Sequence, residues 1–348
     1  MGMGLVYVAN VGTNTVSVID SKTHSVIATV PVGNQPNDVA ITADGKLVYV
    51  ANEGVGFNPS TVSVIDAKSH FVIATVSIGV NPFALAITPD GKWVYISNLL
   101  LSDSVSVIDS KTHSVIATVG VGTNPEALAI TPDGKLVYVA NRGDFPGTVS
   151  VIDTKTHSVI ATVPVGNQPN AVVITPDGKL VYIINSFGSD TVSVIDTKTH
   201  SVIATVSLDS PVALAITSDG KLVYVVENNS TVSVIDTKAN SVIATVPVGD
   251  QPSAVAITPD GQLVYVANSG DSPGTVSVID TRTHSTIATV TVGLGPIALA
   301  ITSDGQLVYV ANSVFAGNNT VSVIDTKKQS VIATLPVDRP VALAITPN

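Results

Sequence analysis

Oxygen donors are the residues of this chain with the most chemistry to offer. Asp38 and Glu126, with Asn37, Asn170 and Ser253, stand at or beside one recurrent position, the residue that follows a proline and reads Asn37, Phe83, Glu126, Asn170, Val212, Ser253, Ile297 and Val341. Carboxylates, amides and hydroxyls are what a hard cation such as Ca2+ requires, so Asp38 and Glu126 are the candidate metal ligands. Held close together, the same two carboxylates would suit general acid–base work. The chain has no cysteine, which removes thiolate chemistry and disulfides. His24, His70, His113, His157, His200 and His284 share one turn position. Equivalent copies in separate repeats stand too far apart to share an ion, and they read as solvated turn residues. No nucleophile and base can be paired, so no catalytic residue is assigned.

The elements that must position these groups follow from a repeat. Val-Ser-Val-Ile-Asp occurs eight times, beginning at Val16, Val62, Val105, Val149, Val192, Val232, Val276 and Val321, in units of 40 to 46 residues. Each unit carries four short apolar segments, A to D, rich in Val, Ile, Thr and Tyr and parted by Gly, Pro, Asn and Asp, which is the pattern of strands joined by turns. Between A and B, seven copies place Asp-Gly, as at Asp44-Gly45 and Asp90-Gly91, predicting a two-residue hairpin and antiparallel pairing. Segments such as Val26-Ile27-Ala28-Thr29-Val30 lack polar alternation, so both sheet faces need cover. Small sheets stacked around an axis provide it, and the expected fold is an all-β, eight-bladed β-propeller with four antiparallel strands per blade.

The chain starts at a strand B (residues 5–10) and stops after a strand A (residues 341–346), so pairing the two ends completes one blade and closes the ring. A single domain over residues 1–348 is expected. Blade 1 comprises 338–348 plus 1–32, and blades 2 to 8 comprise 33–78, 79–121, 122–165, 166–208, 209–248, 249–292 and 293–337. Mean hydropathy is +0.45, yet no apolar run approaches 18 residues, so no transmembrane helix is expected. Residues 1–4 have neither the basic nor the apolar region of a signal peptide.

Leu-Val-Tyr-Val-Ala-Asn at 47–52, Thr-Val-Ser-Val-Ile-Asp at 61–66 and Ile-Thr-Pro-Asp-Gly-Lys at 130–135 resemble the YVTN β-propeller repeats of archaeal surface-layer and related bacterial proteins. The resemblance covers the whole chain, although the motif here is YVAN or close to it and eight copies exceed the seven usual in that family. It implies an extracellular or cell-surface setting. Related propellers include lactonases, lyases and quinone or heme enzymes, so the fold alone decides no function. Their histidine-based schemes find no histidine on the variable face of this chain.

That face is defined by loop length. The A–B and C–D turns are constant in size, whereas the B–C loops run from three residues to eight and two D–A loops are one residue short. Of 26 acidic residues, 15 belong to the repeated scaffold, and the other 11 lie in or next to the variable loops with only Arg142 and Arg339 as cations. All eight tyrosines are scaffold, while five of six phenylalanines are variable-loop residues. The expected binding set is therefore Asp38, Glu53, Phe57, Phe83, Glu126, Arg142, Asp144, Phe145, Asn170, Phe187, Glu227, Ser253 and Phe315. Acids among apolar side chains suit a basic protein surface, a cationic small ligand or a cell-surface component, and repel nucleic acid. The function expected from these residues is a non-enzymatic binding or cell-surface module with no cofactor unless Ca2+. The alternative is a carboxylate- or metal-dependent hydrolase or lyase at the central channel mouth.

Overall fold

The computed structural model describes residues 4–54, 60–100, 102–315 and 317–347. Among them, 32 strands (β1–β32) form eight four-stranded antiparallel sheets, the eight-bladed β-propeller that the repeat predicts. The blades fall into two compact units: Val32–Pro211 holds blades 2 to 5, and Met1–Pro31 with Val212–Asn348 holds blades 1, 6, 7 and 8.

Blade 2 shows the plan. Strands β4 (Pro36–Ile41), β5 (Leu47–Asn52), β6 (Thr61–Asp66) and β7 (Phe71–Ser77) lie in that order, from inner to outer edge. The middle strands are buried on both faces, as their unbroken apolar runs require, and the outer strand alternates between exposed and covered residues. Adjacent blades bury one core between them: Tyr49, Val62 and Val64 of blade 2 pack with Val94, Ile96 and Ile108 of blade 3. Each such side chain contributes about 1.5–3 kcal/mol on burial. In blade 1, β32 (Pro340–Ile345) pairs with β1 (Leu5–Asn10), with Val6 opposite Ile345 and Val8 opposite Leu343. Thr346 bonds Leu5 twice, through Leu5 N to Thr346 Oγ1 (2.8 Å) and Thr346 N to Leu5 O (2.9 Å).

The A–B hairpin is longer than expected from Asp-Gly alone. Thr42 N bonds Leu47 O, enclosing residues 43–46. Thr42 Oγ1 donates to Asp44 Oδ1 (2.7 Å) and accepts from Leu47 N (3.1 Å), and of the two turn residues only Gly45 is left-handed (φ 69°). Asp44 thus acts as an acceptor that organises the turn, which its neighbour's freedom at positive φ permits.

The tyrosines and histidines are joined across blades. Tyr95 OH bonds His157 Nδ1 at 2.8 Å and Tyr138 OH bonds His200 Nδ1 at 3.1 Å, each reaching the C–D turn of the next blade. Tyr224 and His284 do the same at 3.3 Å, and Tyr265 OH donates to Gln329 Oε1 at 3.2 Å. These histidines are thus latches between blades and not merely solvated turn residues. The tyrosine bodies are core, so a hydroxyl bonded in this way is satisfied within the protein, whereas Tyr49 OH and Tyr309 OH are buried without a partner.

Candidate functional site

In seven blades the variable position after the proline falls at a β-bulge. Pro125 pairs with Asn141 and Ala127 with Ala140, leaving Glu126 outside the ladder, and Asn37, Phe83, Asn170, Ser253, Ile297 and Val341 are skipped in the same way. A bulged residue is freed from the pairing that constrains its neighbours and its side chain is re-aimed, which is why the position varies within a fixed strand.

Glu126 is the bulge residue around which a site assembles. In blade 4, β12 (Pro125–Ile130) carries it, and the B–C loop after β13 (Leu136–Asn141) carries Arg142. Arg142 Nη1 donates to Glu126 Oε2 at 2.9 Å, with the carboxylate largely covered and the guanidinium about half exposed. Burial pushes Glu126 above the ordinary glutamate value, while the charge and hydrogen bond of Arg142 oppose the rise. Leu99, Leu100, Asn124, Gly143, Phe145 and Gln168 complete a cleft of about 360 Å³. Asp103 Oδ1 accepts from Asn124 N (2.9 Å), and Asn124 Oδ1 accepts from Leu100 N (3.3 Å), so one wall is braced by its own backbone. Arg142 retains guanidinium donors for a ligand, beside an apolar wall of leucines and the exposed ring of Phe145.

Other residues of the expected set serve the scaffold. Asp38 is held by backbone donors: Oδ1 accepts from Val39 N (2.8 Å) and Oδ2 from Leu85 N of blade 3 (2.9 Å), and burial raises its pKa to about 6. Asn37 Nδ2 and Ser253 Oγ each donate to the proline carbonyl of the next blade, Pro82 and Pro296. Asp144 accepts from Thr123 N (2.9 Å) and from Thr148 Oγ1, closing its own loop. Asn170 Nδ2 donates to Ser186 Oγ at 3.4 Å. Glu227 is buried, with Ser233 Oγ donating to it, in the place where blade 2 has Asn52 donating to Ser63 Oγ. Glu53 holds its loop through the backbone, N to Gln35 O and O from Ser60 Oγ. Phe83, Phe187 and Phe315 are exposed, Phe315 under the Arg339 guanidinium at 5.0 Å. Phe57 lies outside the described residues. Among the described residues no three His, Cys, Asp or Glu side chains gather as a metal site.

The architecture is that of a propeller with a small cleft at its variable loops. A family model, Cytochrome D1 heme domain, matches residues 84–210 and again 177–294. The two matches together span more than half of the chain, and the chain belongs to this family of propellers. A second model, YNCE-like beta-propeller, matches residues 2–100 and agrees on the fold family, without reaching the finer surface-layer likeness. A search of curated proteins finds no match. Among solved structures, Kuenenia stuttgartiensis Hydrazine Synthase is 28% identical, with 84% of this chain and 95% of that chain covered and a TM-score of 0.67. Dihydro-heme d1 dehydrogenase NirN in complex with DHE superposes with a TM-score of 0.83 over 97% of this chain and 74% of that one, at 18% identity, a likeness of fold.

These findings overturn two expectations. A heme-domain family replaces the reading as a surface binding module with a carboxylate- or metal-dependent hydrolase or lyase as its alternative, and it conflicts with the expectation of no cofactor beyond Ca2+. The residues of the cleft fit such a group only in part. A guanidinium and an apolar wall suit the carboxylate-bearing edge of a macrocycle. For iron they offer no histidine or sulfur: all six histidines lie in C–D turns at the other end of the blades, and the tyrosines are fully buried.

Proposed function

We propose that this chain is a heme-related propeller that takes a porphyrin-type macrocycle by its edge at the Glu126–Arg142 cleft and gives the iron no side-chain ligand of its own. The observation that carries the reading is Arg142. It is the one cation among the variable loops of residues 32–211, it is fixed by Glu126 at 2.9 Å, and it stands beside Leu99, Leu100 and Phe145. A planar guanidinium recognises a carboxylate through two parallel hydrogen bonds, and the leucines and phenylalanine offer a face to a flat ring. The cleft is at the small end of ligand pockets, which suits an edge and not a whole macrocycle.

Titration with iron-free protoporphyrin and with heme, followed by absorbance and by quenching of the single Trp93, tests this. Both are expected to bind with similar affinity. A hydrogen bond to a charged group contributes roughly 1.5–3 kcal/mol, so Arg142→Ala should weaken both about 10- to 150-fold. Binding of heme alone, with the spectrum of an iron ligated by histidine, would refute the reading, as would an Arg142→Ala protein that binds as tightly as the parent.

A further inference from the structure

We infer that the outer edge of blade 2 is a self-association surface, on which a second copy of this chain docks with β7 antiparallel to β7. The first residue of the outer strand is Ser25, Ser114, Ser158, Ser201, Ser241, Ser285 and Ser330 in seven blades and Phe71 in blade 2. Phe71 is 72% exposed and Ile73, two residues on, is 49% exposed. The outer strand β7 has a free edge and bears no charge from Phe71 to Ser77. Proteins usually blunt such edges with charges or bulges. A bulge is present here, as it is in the equivalent strands of blades 3, 4 and 5, but only β7 adds a large exposed ring.

Charge selects a second copy and sets its direction. In residues 32–211, the A–B and C–D turns carry eight Asp and eight Lys, and the loops of the opposite end carry seven acids, Asp38, Glu53, Asp103, Glu126, Asp144, Asp190 and Asp209, against Arg142. Antiparallel docking inverts one copy, so the acidic end of each lies beside the balanced, lysine-bearing end of the other. Parallel docking would set the two acidic ends together and is opposed by their repulsion. Ile73 is the residue that the pairing of β7 with β6 skips, so the contact is made by the Phe71 and Ile73 side chains of the two copies about a twofold axis near Ile73 and not by a regular ladder, an isologous contact.

Sedimentation of the intact chain over a concentration series should show a species of twice the 35.5 kDa monomer mass at the upper end. Phe71→Ser restores the residue of the other seven blades, so it leaves the fold intact and should abolish the dimer. The chain has no cysteine, which makes Ile73→Cys and the equivalent Ile160→Cys of blade 4 clean probes. Mild oxidation should couple Ile73→Cys into a covalent dimer, since side chains that meet at a twofold axis come within disulfide reach, and leave Ile160→Cys monomeric. A parent that stays monomeric throughout, a Phe71→Ser variant that dimerises unchanged, or equal coupling of the two cysteine variants would each overturn the inference.

Discussion

Removing the hydroxyl of Tyr95 and removing that of Tyr49 are the same chemical change with different consequences. Tyr95 OH is bonded to His157 Nδ1 at 2.8 Å, whereas Tyr49 OH and Tyr309 OH are buried without a partner. Tyr95→Phe therefore loses a hydrogen bond of about 1 kcal/mol, and Tyr49→Phe or Tyr309→Phe relieves an unpaired group and should be neutral or stabilising. His157→Ala costs more. It strands the Tyr95 hydroxyl, about 1–3 kcal/mol, and loses the edge contact with Trp93 at 5.1 Å, about 0.5–1.5 kcal/mol. The latch also titrates. Burial lowers the pKa of His157 below its ordinary 6.5, against the opposing pull of Asp153, because the neutral ring is the form that accepts from tyrosine. A group that is harder to protonate when folded contributes stability that is complete above the unfolded value. That contribution is lost as pH falls through the folded one. Gln329 performs the same task for Tyr265 without titrating, so His157→Gln should keep the bond and abolish this part of the acid sensitivity. Urea denaturation of the five variants between pH 8 and 5, compared at constant m-value, measures all of this. Equal losses for Tyr95→Phe and Tyr49→Phe, or undiminished acid sensitivity in His157→Gln, would refute the latch.

Asp38 should act with the opposite sign. Its folded pKa, raised by burial to about 6 from 3.8, means that the folded state holds the proton more tightly, so stability rises as pH falls from above 6 towards 4. Asp38→Asn retains a side-chain oxygen for Leu85 N and should erase that rise in a pH series of unfolding midpoints. Deleting residues 339–348 removes β32 and exposes the edge of β1, and a large drop in thermal midpoint is expected. An unchanged midpoint would mean that β1 needs no inner partner.

How much was legible depended on whether a residue acts within its own repeat or across to the next. Strand number, blade order and the pairing of residues 341–346 with 5–10 are local consequences of apolar runs and turn residues repeated eight times, and they were readable. The hairpin's length is not legible in the Asp-Gly dipeptide, because Thr42 and Leu47 enclose four residues and Asp44 is an acceptor. His157, His200 and His284 look solvated in the sequence because their partners, tyrosines about sixty residues earlier, belong to the preceding blade. No periodicity shows which side chain spans that seam. The same limit applied to the site. Glu126 and Arg142 were both among the candidates, but their pairing depends on a bulge that turns one strand residue out of its ladder towards a loop. Asp144 and Glu227, chosen for their charge, prove to be internal acceptors of threonine and serine hydroxyls.

Function was the least legible part because the fold supplies nearly all of the repetition, and repetition is what a single sequence displays most clearly. A heme-type group would be recognised by departures from the repeat, few in number and spread among loops, and their acidic excess pointed towards cationic partners. Arg142 is the departure of opposite sign. One guanidinium among seven carboxylates changes little in a charge count, yet a fixed guanidinium beside three apolar side chains selects a carboxylate with a flat body in a way that the surrounding acids cannot. Phe71 carries the same lesson on the outer edge, where one ring in place of serine distinguishes a single blade from seven others. In a chain built from near-identical units, the informative residue is the one that breaks the unit, and its meaning comes from the neighbour it meets in the fold.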